Sequence, residues 1–258
     1  VLQDIGCFIA SVLYRGVDWA LVPTTLLAQC DSCVGSKSSL NLGPYKNQLG
    51  TFYPPHRIHM VFDVLKTLAP EDLRSGFGEM IKIALIAGTS DFERVSRLLS
   101  QVQEGAQLGE AIVASLQIKK VYAEKDEFDR GVRQLLNYGH TFGHAYESGS
   151  DYRIPHGIAV SLGVSTATFF SMKMGWVTPE YSERLLTFLR PYYQPFEKEL
   201  ARIDPERIFS AMKLDKKNIG TQINCILTRG EGRMEKVTVD ESSQLRPWLA
   251  EFFSKIQG

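Results

Sequence analysis

In "DIGCFIASVLYRG" the apolar residues Ile5, Phe8, Ile9, Val12 and Leu13 share one helical face, and Gly16 closes the period. Trp19 to Val22 then reads as a short buried strand. It is followed by "PTTLL", whose hydroxyls and free amides suit the start of a helix. "RIHMVFD", residues 57–63, is the next predicted strand, so the chain begins as α/β. From "PEDLRSGFGEMIKIALIAG" the period becomes helical, with Leu73, Phe77, Met80, Ile81, Ala84 and Leu85 forming a stripe that ends at Gly88. Helical periodicity dominates to about residue 213. "TQINCILTRGEGRMEKVTVD" alternates on both sides of a Gly-containing turn, as a hairpin does, and "LRPWLAEFFSKI" predicts a last helix. These patterns divide the chain into an α/β part, residues 1–63, and a mainly helical part, residues 64–258.

With 44% hydrophobic residues the chain can bury a sizeable core. Its 29 basic and 29 acidic residues cancel, which argues against nucleic acid or an anionic membrane and for a small anionic ligand. The uncharged run from Ile154 to Met172 is broken by Pro155, His156, Gly157 and hydroxyl residues, so it predicts a buried helix and no membrane span. With no basic and apolar leader pattern at the start, the cytoplasm is the expected location. Cys30 and Cys33 lack the second pair of a structural zinc site and the setting of a redox motif, so they read as reduced buried thiols.

Three of the five histidines lie in "NYGHTFGHAYESGSDYRIPHG". A lone histidine on an apolar stripe is ordinarily a packing residue, but burying three rings together costs desolvation at each. His140 and His144, four apart, share a helix face that Gly139 and Gly143 are expected to keep open. A catalytic zinc takes three protein ligands, often one of them a carboxylate, and Glu79 is the best candidate. Spacing alone leaves Glu79 and Lys82 equally readable as an exposed i,i+3 ion pair. A second cluster, "GSKSSLNLGPYKNQLG", sets Lys37, Lys46 and Asn47 among glycines in an irregular loop of a kind that binds phosphate, a weak signal alone.

Seven stretches, "VLQDIGCFIASVLYRGV", "VPTTLLAQCDSCVGSK", "KNQLGTFYPP", "LRSGFGEMIK", "LLNYGHTFGHAYE", "PHG" and "LDKKN", occur in an order and at a spacing that resemble the sugar phosphate cyclases, and within them the 3-dehydroquinate synthases. The resemblance implies the C-terminal part of a Rossmann-like NAD-binding α/β domain followed by a helical metal-binding domain. It further implies roughly 80 to 100 residues of nucleotide-binding βαβ structure before Val1. It assigns zinc, or cobalt in its place, to Glu79, His140 and His156, and turns His144 toward substrate as an acid/base group. Lys82, Asp31 and Asn137 would surround the reacting hydroxyls, while Lys119 and Arg133 hold a carboxylate. Lys37, Asn47 and Lys216 would grip a phosphate, joined by Arg15 across a homodimer interface. Asp4, Thr24, Thr25 and Lys46 would lie around NAD. The implied activity is cyclisation of 3-deoxy-D-arabino-heptulosonate 7-phosphate to 3-dehydroquinate with loss of phosphate, a step of the shikimate pathway to aromatic amino acids. "VGSKSSLN" and "HGIAV" depart from the usual "GGKTGVN" and "HGEAV", yet Lys119, Arg133 and Asn137 are kept, which favours a carboxylated substrate. The alternatives are a cyclase making another cyclitol and a non-catalytic metal-binding homologue.

Overall fold

The computed structural model describes residues 1–43, 45–102, 105–213 and 222–257, with the side chains of 45, 46, 105–107 and 257 left aside. The chain forms two compact units: residues 1–76 with 97–134, and residues 77–96 with 135–258. This division differs from a cut near residue 64. Helical periodicity announces a helix but not the layer it joins, and one long helix packs with the α/β part instead of the helical one.

In the first unit, helix α1 (Leu2–Val12) leads to strand β1 (Ala20–Leu21) and a π-helical turn, Ala28–Ser32. Strands β2 (Leu40–Leu42) and β3 (Tyr45–Leu49) form an antiparallel hairpin inside the segment expected to be an irregular loop. Strand β4 (Arg57–Ile58) pairs in parallel with β1 and is shorter than the strand predicted for 57–63, because a 3₁₀ segment begins at Phe62. Helix α2 (Pro70–Ala87) starts in this unit, where Gly76 admits Leu26 so closely that a Cβ would stand 2.3 Å from its Cγ. The chain then leaves this unit for residues 77–96, which carry the rest of α2 and most of helix α3 (Thr89–Ser100), and returns with helix α4 (Gly105–Lys125), which packs on the π-helical turn and the 62–67 segment. The apolar stripe of α1 faces outward: Ile9 and Val12 are exposed, while Cys7 and Ala10 on the other side are buried.

Besides residues 77–96 of α2 and α3, the second unit is built from helices α5 (His140–Gly149), α6 (His156–Lys173), α7 (Pro179–Tyr193), α8 (Glu197–Leu200), α9 (Pro205–Lys213) and α10 (Arg246–Gln257), with the predicted hairpin of β5 (Gln222–Thr228) and β6 (Met234–Asp240). Helix α6 is its axis, packed by α5, α7, β5 and α10 and buried from Gly157 to Ser171. Its hydroxyls survive burial because each is bonded: Ser161, Ser165, Thr166, Thr168 and Ser171 donate to carbonyls one turn back. Tyr138 and Tyr146 reach Thr168 and Thr166 at 2.7 and 2.8 Å. Among the described residues no helix is long and apolar enough to cross a membrane.

Helices meet α6 at glycines. A Cβ on Gly78 of α2 would lie 2.2 Å from the Gly157 carbonyl, and one on Gly163 of α6 would lie 2.1 Å from the Gly139 carbonyl. Gly139 and Gly143 therefore do not open the histidine face. Their empty side is filled by the backbone of α6, with Ala159 O 3.1 Å from a Cβ built on Gly143.

Candidate metal centre and anion-binding residues

Each glycine contact carries a polar neighbour with it: Glu79 follows Gly78, His140 follows Gly139, and His156 precedes Gly157. Close helix approach in the second unit thus gathers three side chains from three helices. Glu79 is completely buried and Lys82 is 3% exposed, with Lys82 Nζ 2.6 Å from Glu79 Oε2. That burial removes the exposed ion pair as an account of these residues. Glu79 Oε1 lies 3.3 Å from His156 Nε2 and 3.6 Å from His140 Nε2. His144 packs edge-on against His140 at 5.1 Å between ring centres, and ring nitrogens of all three histidines lie within 4.8 Å of one another.

The other ring nitrogens are also placed. His156 Nδ1 lies 3.2 Å from Glu147 Oε2, and His140 Nδ1 lies 3.4 Å from the Tyr138 carbonyl. Both Nε2 atoms are thereby left facing the same Glu79 oxygen. Burial pushes the Glu79 carboxyl up, but Lys82 and His156 outweigh it and take it down to about 2. Burial pulls His156 down, and the carboxylates of Glu147 and Glu79 overcome this, raising it to about 10 in the metal-free protein.

These residues fit a divalent ion. Lys82 meets Glu79 Oε2, which leaves Oε1 to face two imidazole nitrogens, and a buried carboxylate so placed with two imidazoles is the donor set of a catalytic zinc. The three histidines form a second possible ligand set, and both sets share His140 and His156. Glu147 was not among the residues singled out from the sequence. Its signal was present, since it lies on α5 three residues after His144 and seven after His140. Asn137, half-buried, ends the 3₁₀ segment just before this cluster.

Of the cations expected to bind anions, Lys119, Arg133 and Lys37 of the first unit are each already against an oxygen. Lys119 Nζ is 2.9 Å from Asp31 Oδ1 and donates to the Asp31 carbonyl. Arg133 is buried, and its Nη1 donates to the Glu127 carbonyl at 2.6 Å. Its Nη2 stands 2.6 Å from where a Cβ on Gly35 would be, at a φ of +117°. The loop beneath is tied by Asp126, whose carboxylate accepts from the amides of Arg130, Gly131 and Arg133. Those bonds, Arg130's foremost, hold it below its ordinary value. Lys37 Nζ pairs with Asp129 Oδ2 at 2.8 Å. Asn47 is exposed, and its amide donates to Asn41 Oδ1 at 3.0 Å. Arg15 is exposed in a left-handed conformation, φ 66°. Asp4 Oδ1 accepts from the Ser39 amide at 3.1 Å. Thr24 and Thr25 are exposed just past the carboxyl end of β1, where open α/β sheets bind ligands. The Lys46 side chain and Lys216 lie outside the described residues. The four cysteines form no disulfide and are buried, as expected of packing thiols, and burial pushes Cys33 up to about 11.

The profile of the 3-dehydroquinate synthase N-terminal domain matches residues 1–75, and that of its C-terminal domain matches residues 76–218. The chain belongs to the 3-dehydroquinate synthase family. Relatives named 3-dehydroquinate synthase include that of Alkaliphilus oremlandii (strain OhILAs), 36% identical over 239 residues, covering 91% of this chain and 65% of the relative. Those of Enterococcus faecalis (strain ATCC 47077 / OG1RF) and Xylella fastidiosa (strain M23) are also 36% identical, covering 96% and 97% of this chain and 69% and 70% of theirs. The chain thus spans about two thirds of the length of these family members. Among solved structures, 2-deoxy-scyllo-inosose synthase complexed with carbaglucose-6-phosphate, NAD+ and Co2+ superposes with a TM-score of 0.83 at 24% identity, over 97% of this chain and 70% of that one. The 2-epi-5-epi-valiolone synthase of Streptomyces hygroscopicus subsp. jinggangensis 5008, with NAD+ and Zn2+ bound, gives 0.81 at 24%, over 99% and 71%. The dehydroquinate synthase-like fold expected from the sequence is therefore the fold of this family member. The two family domains meet at residues 75 and 76, within one residue of the end of the first unit's opening segment on α2.

Proposed function

We propose that this chain carries the catalytic machinery of a 3-dehydroquinate synthase, a carbon–oxygen lyase that closes 3-deoxy-D-arabino-heptulosonate 7-phosphate into 3-dehydroquinate with loss of phosphate. The observation that carries the reading is Glu79: a fully buried carboxylate, paired with Lys82 through Oε2, whose Oε1 faces Nε2 of both His140 and His156. Glu79, His140 and His156 would hold zinc, or cobalt, and leave His144 beside them for substrate. When bound, the metal would polarise a substrate hydroxyl and NAD would take up and return a hydride, so neither is consumed.

The protein's own groups do the rest. Lys82 compensates the Glu79 charge and, with Asn137 and Asp31, orients the reacting hydroxyls. His144 takes and returns a proton at a substrate oxygen. Lys119 and Arg133 bind the substrate carboxylate, exchanging their present oxygen partners for it. Lys37, Asn47 and Lys216 bind the phosphate, and Arg15 completes that site from a second copy in a homodimer. Asp4, Thr24, Thr25 and Lys46 line the NAD site. The 36% identity to curated synthases favours this substrate over that of another cyclase.

Incubating the protein, extended by the upstream nucleotide-binding sequence that the resemblance implies, with the heptulosonate phosphate, NAD and zinc tests the reading. Phosphate release with no net NADH is expected. Zinc binding without NAD affinity or phosphate release would replace it with a non-catalytic metal-binding homologue.

A further inference from the structure

We infer that Glu147 is a positioning residue for His156, fixing that imidazole's orientation and tautomer so that Nε2 is presented to the metal. The inference rests on the reading of His156 as a ligand. Glu147 is buried, 7% exposed, and a carboxylate so placed needs a partner. Its Oε2 lies 3.2 Å from His156 Nδ1, across the ring from the Nε2 that faces Glu79. Glu147 is therefore on the wrong side of the imidazole to coordinate the same ion, and on the right side to accept the Nδ1 proton. An imidazole held this way has one lone pair left, on Nε2, and the neighbouring negative charge makes that nitrogen a stronger donor.

The backbone of Glu147 adds rigidity. Its carbonyl accepts from Ser150 Oγ at 3.0 Å and from the Tyr152 amide at 2.8 Å, pinning the turn that carries the chain from α5 to Pro155 and His156. Asp151 and Tyr152 in that turn are both left-handed, with φ of 53° and 59°, a conformation that needs such ties to persist. One residue thus holds both the ring and the turn that delivers it.

The test is cobalt binding to the full chain, read by the visible d–d bands and by competition with a chelator, for wild type, Glu147→Gln and Glu147→Ala. Glu147→Gln keeps a neutral acceptor and loses the charge. Affinity should fall about 10- to 100-fold in Glu147→Gln and further in Glu147→Ala, with shifted bands. Phe252→Leu, a destabilising change in the buried core of α10, should leave the bands unmoved. Wild-type cobalt binding with Glu147→Gln within threefold and spectrally unchanged would overturn the inference while leaving the metal reading intact. Absence of cobalt binding by wild type would overturn both. Should Glu147→Gln not fold, long-range proton–nitrogen NMR of the zinc-loaded wild type decides: the His156 proton is expected on Nδ1, and a proton on Nε2 refutes the assignment.

Discussion

Replacing Gly78 by alanine tests whether helix contact builds the metal centre. The new Cβ would stand 2.2 Å from the Gly157 carbonyl oxygen and 2.4 Å from Ser161 Oγ. Ordinary carbon–oxygen contact is about 3.3 Å, so α2 and α6 must part by roughly 1 Å. Overpacking of this kind costs about 1–3 kcal/mol, partly offset by the roughly 1 kcal/mol by which alanine exceeds glycine as a helix former. Net stability should therefore fall by about 0 to 2 kcal/mol, leaving a folded protein. The metal site is less tolerant. Glu79 and His156 flank the contact, and ligand distances must hold to about 0.2 Å, so zinc affinity should drop at least about tenfold, or 1.4 kcal/mol. Gly6→Ala in α1, where no atom lies within 4 Å of the added methyl, is the matched control. It should gain up to about 1 kcal/mol and leave zinc binding unchanged. Urea unfolding with a chelator present and zinc competition measure the two quantities. Gly78→Ala binding zinc within twofold of wild type would refute the argument.

Zinc binding should also be pH-dependent. A proton on His156, raised to about 10 in the metal-free protein, must leave before Nε2 can coordinate, so affinity should rise about tenfold per pH unit between pH 6 and 9. The sign for the metal-free fold is opposite: the stability His156 contributes is present below its ordinary value of 6.5 and is lost as pH rises through about 10. Titration calorimetry in buffers of different ionisation enthalpy would detect the released proton, and a flat pH profile would contradict the expectation. Gly35→Ala should cost about 1–3 kcal/mol from its left-handed backbone alone. Because the methyl would also displace the Arg133 guanidinium, KM for the proposed carboxylated substrate should rise. Unchanged unfolding and unchanged KM would refute both effects.

Much of this architecture was legible because α2, α10 and the β5–β6 hairpin each show the period of their own geometry. What the sequence left open is what each face meets. The stripe of α1 announces a helix correctly, yet Cys7 and Ala10 on its less apolar side are the buried residues. Helix α6 is covered on every side, so no stripe betrays its central place, and its hydroxyls read as surface until their bonds to the preceding turn are seen. The same gap affected the site. His140 and His144 were visible as an i,i+4 pair, but Glu79 and His156 join them only because Gly78, Gly139, Gly157 and Gly163 let three helix backbones touch. Sequence spacing reports neighbours along one helix. A candidate ligand set drawn from three helices is written instead in the small residues beside its members, and a glycine adjoining a histidine or glutamate on a buried helix is the local sign of such a crossing.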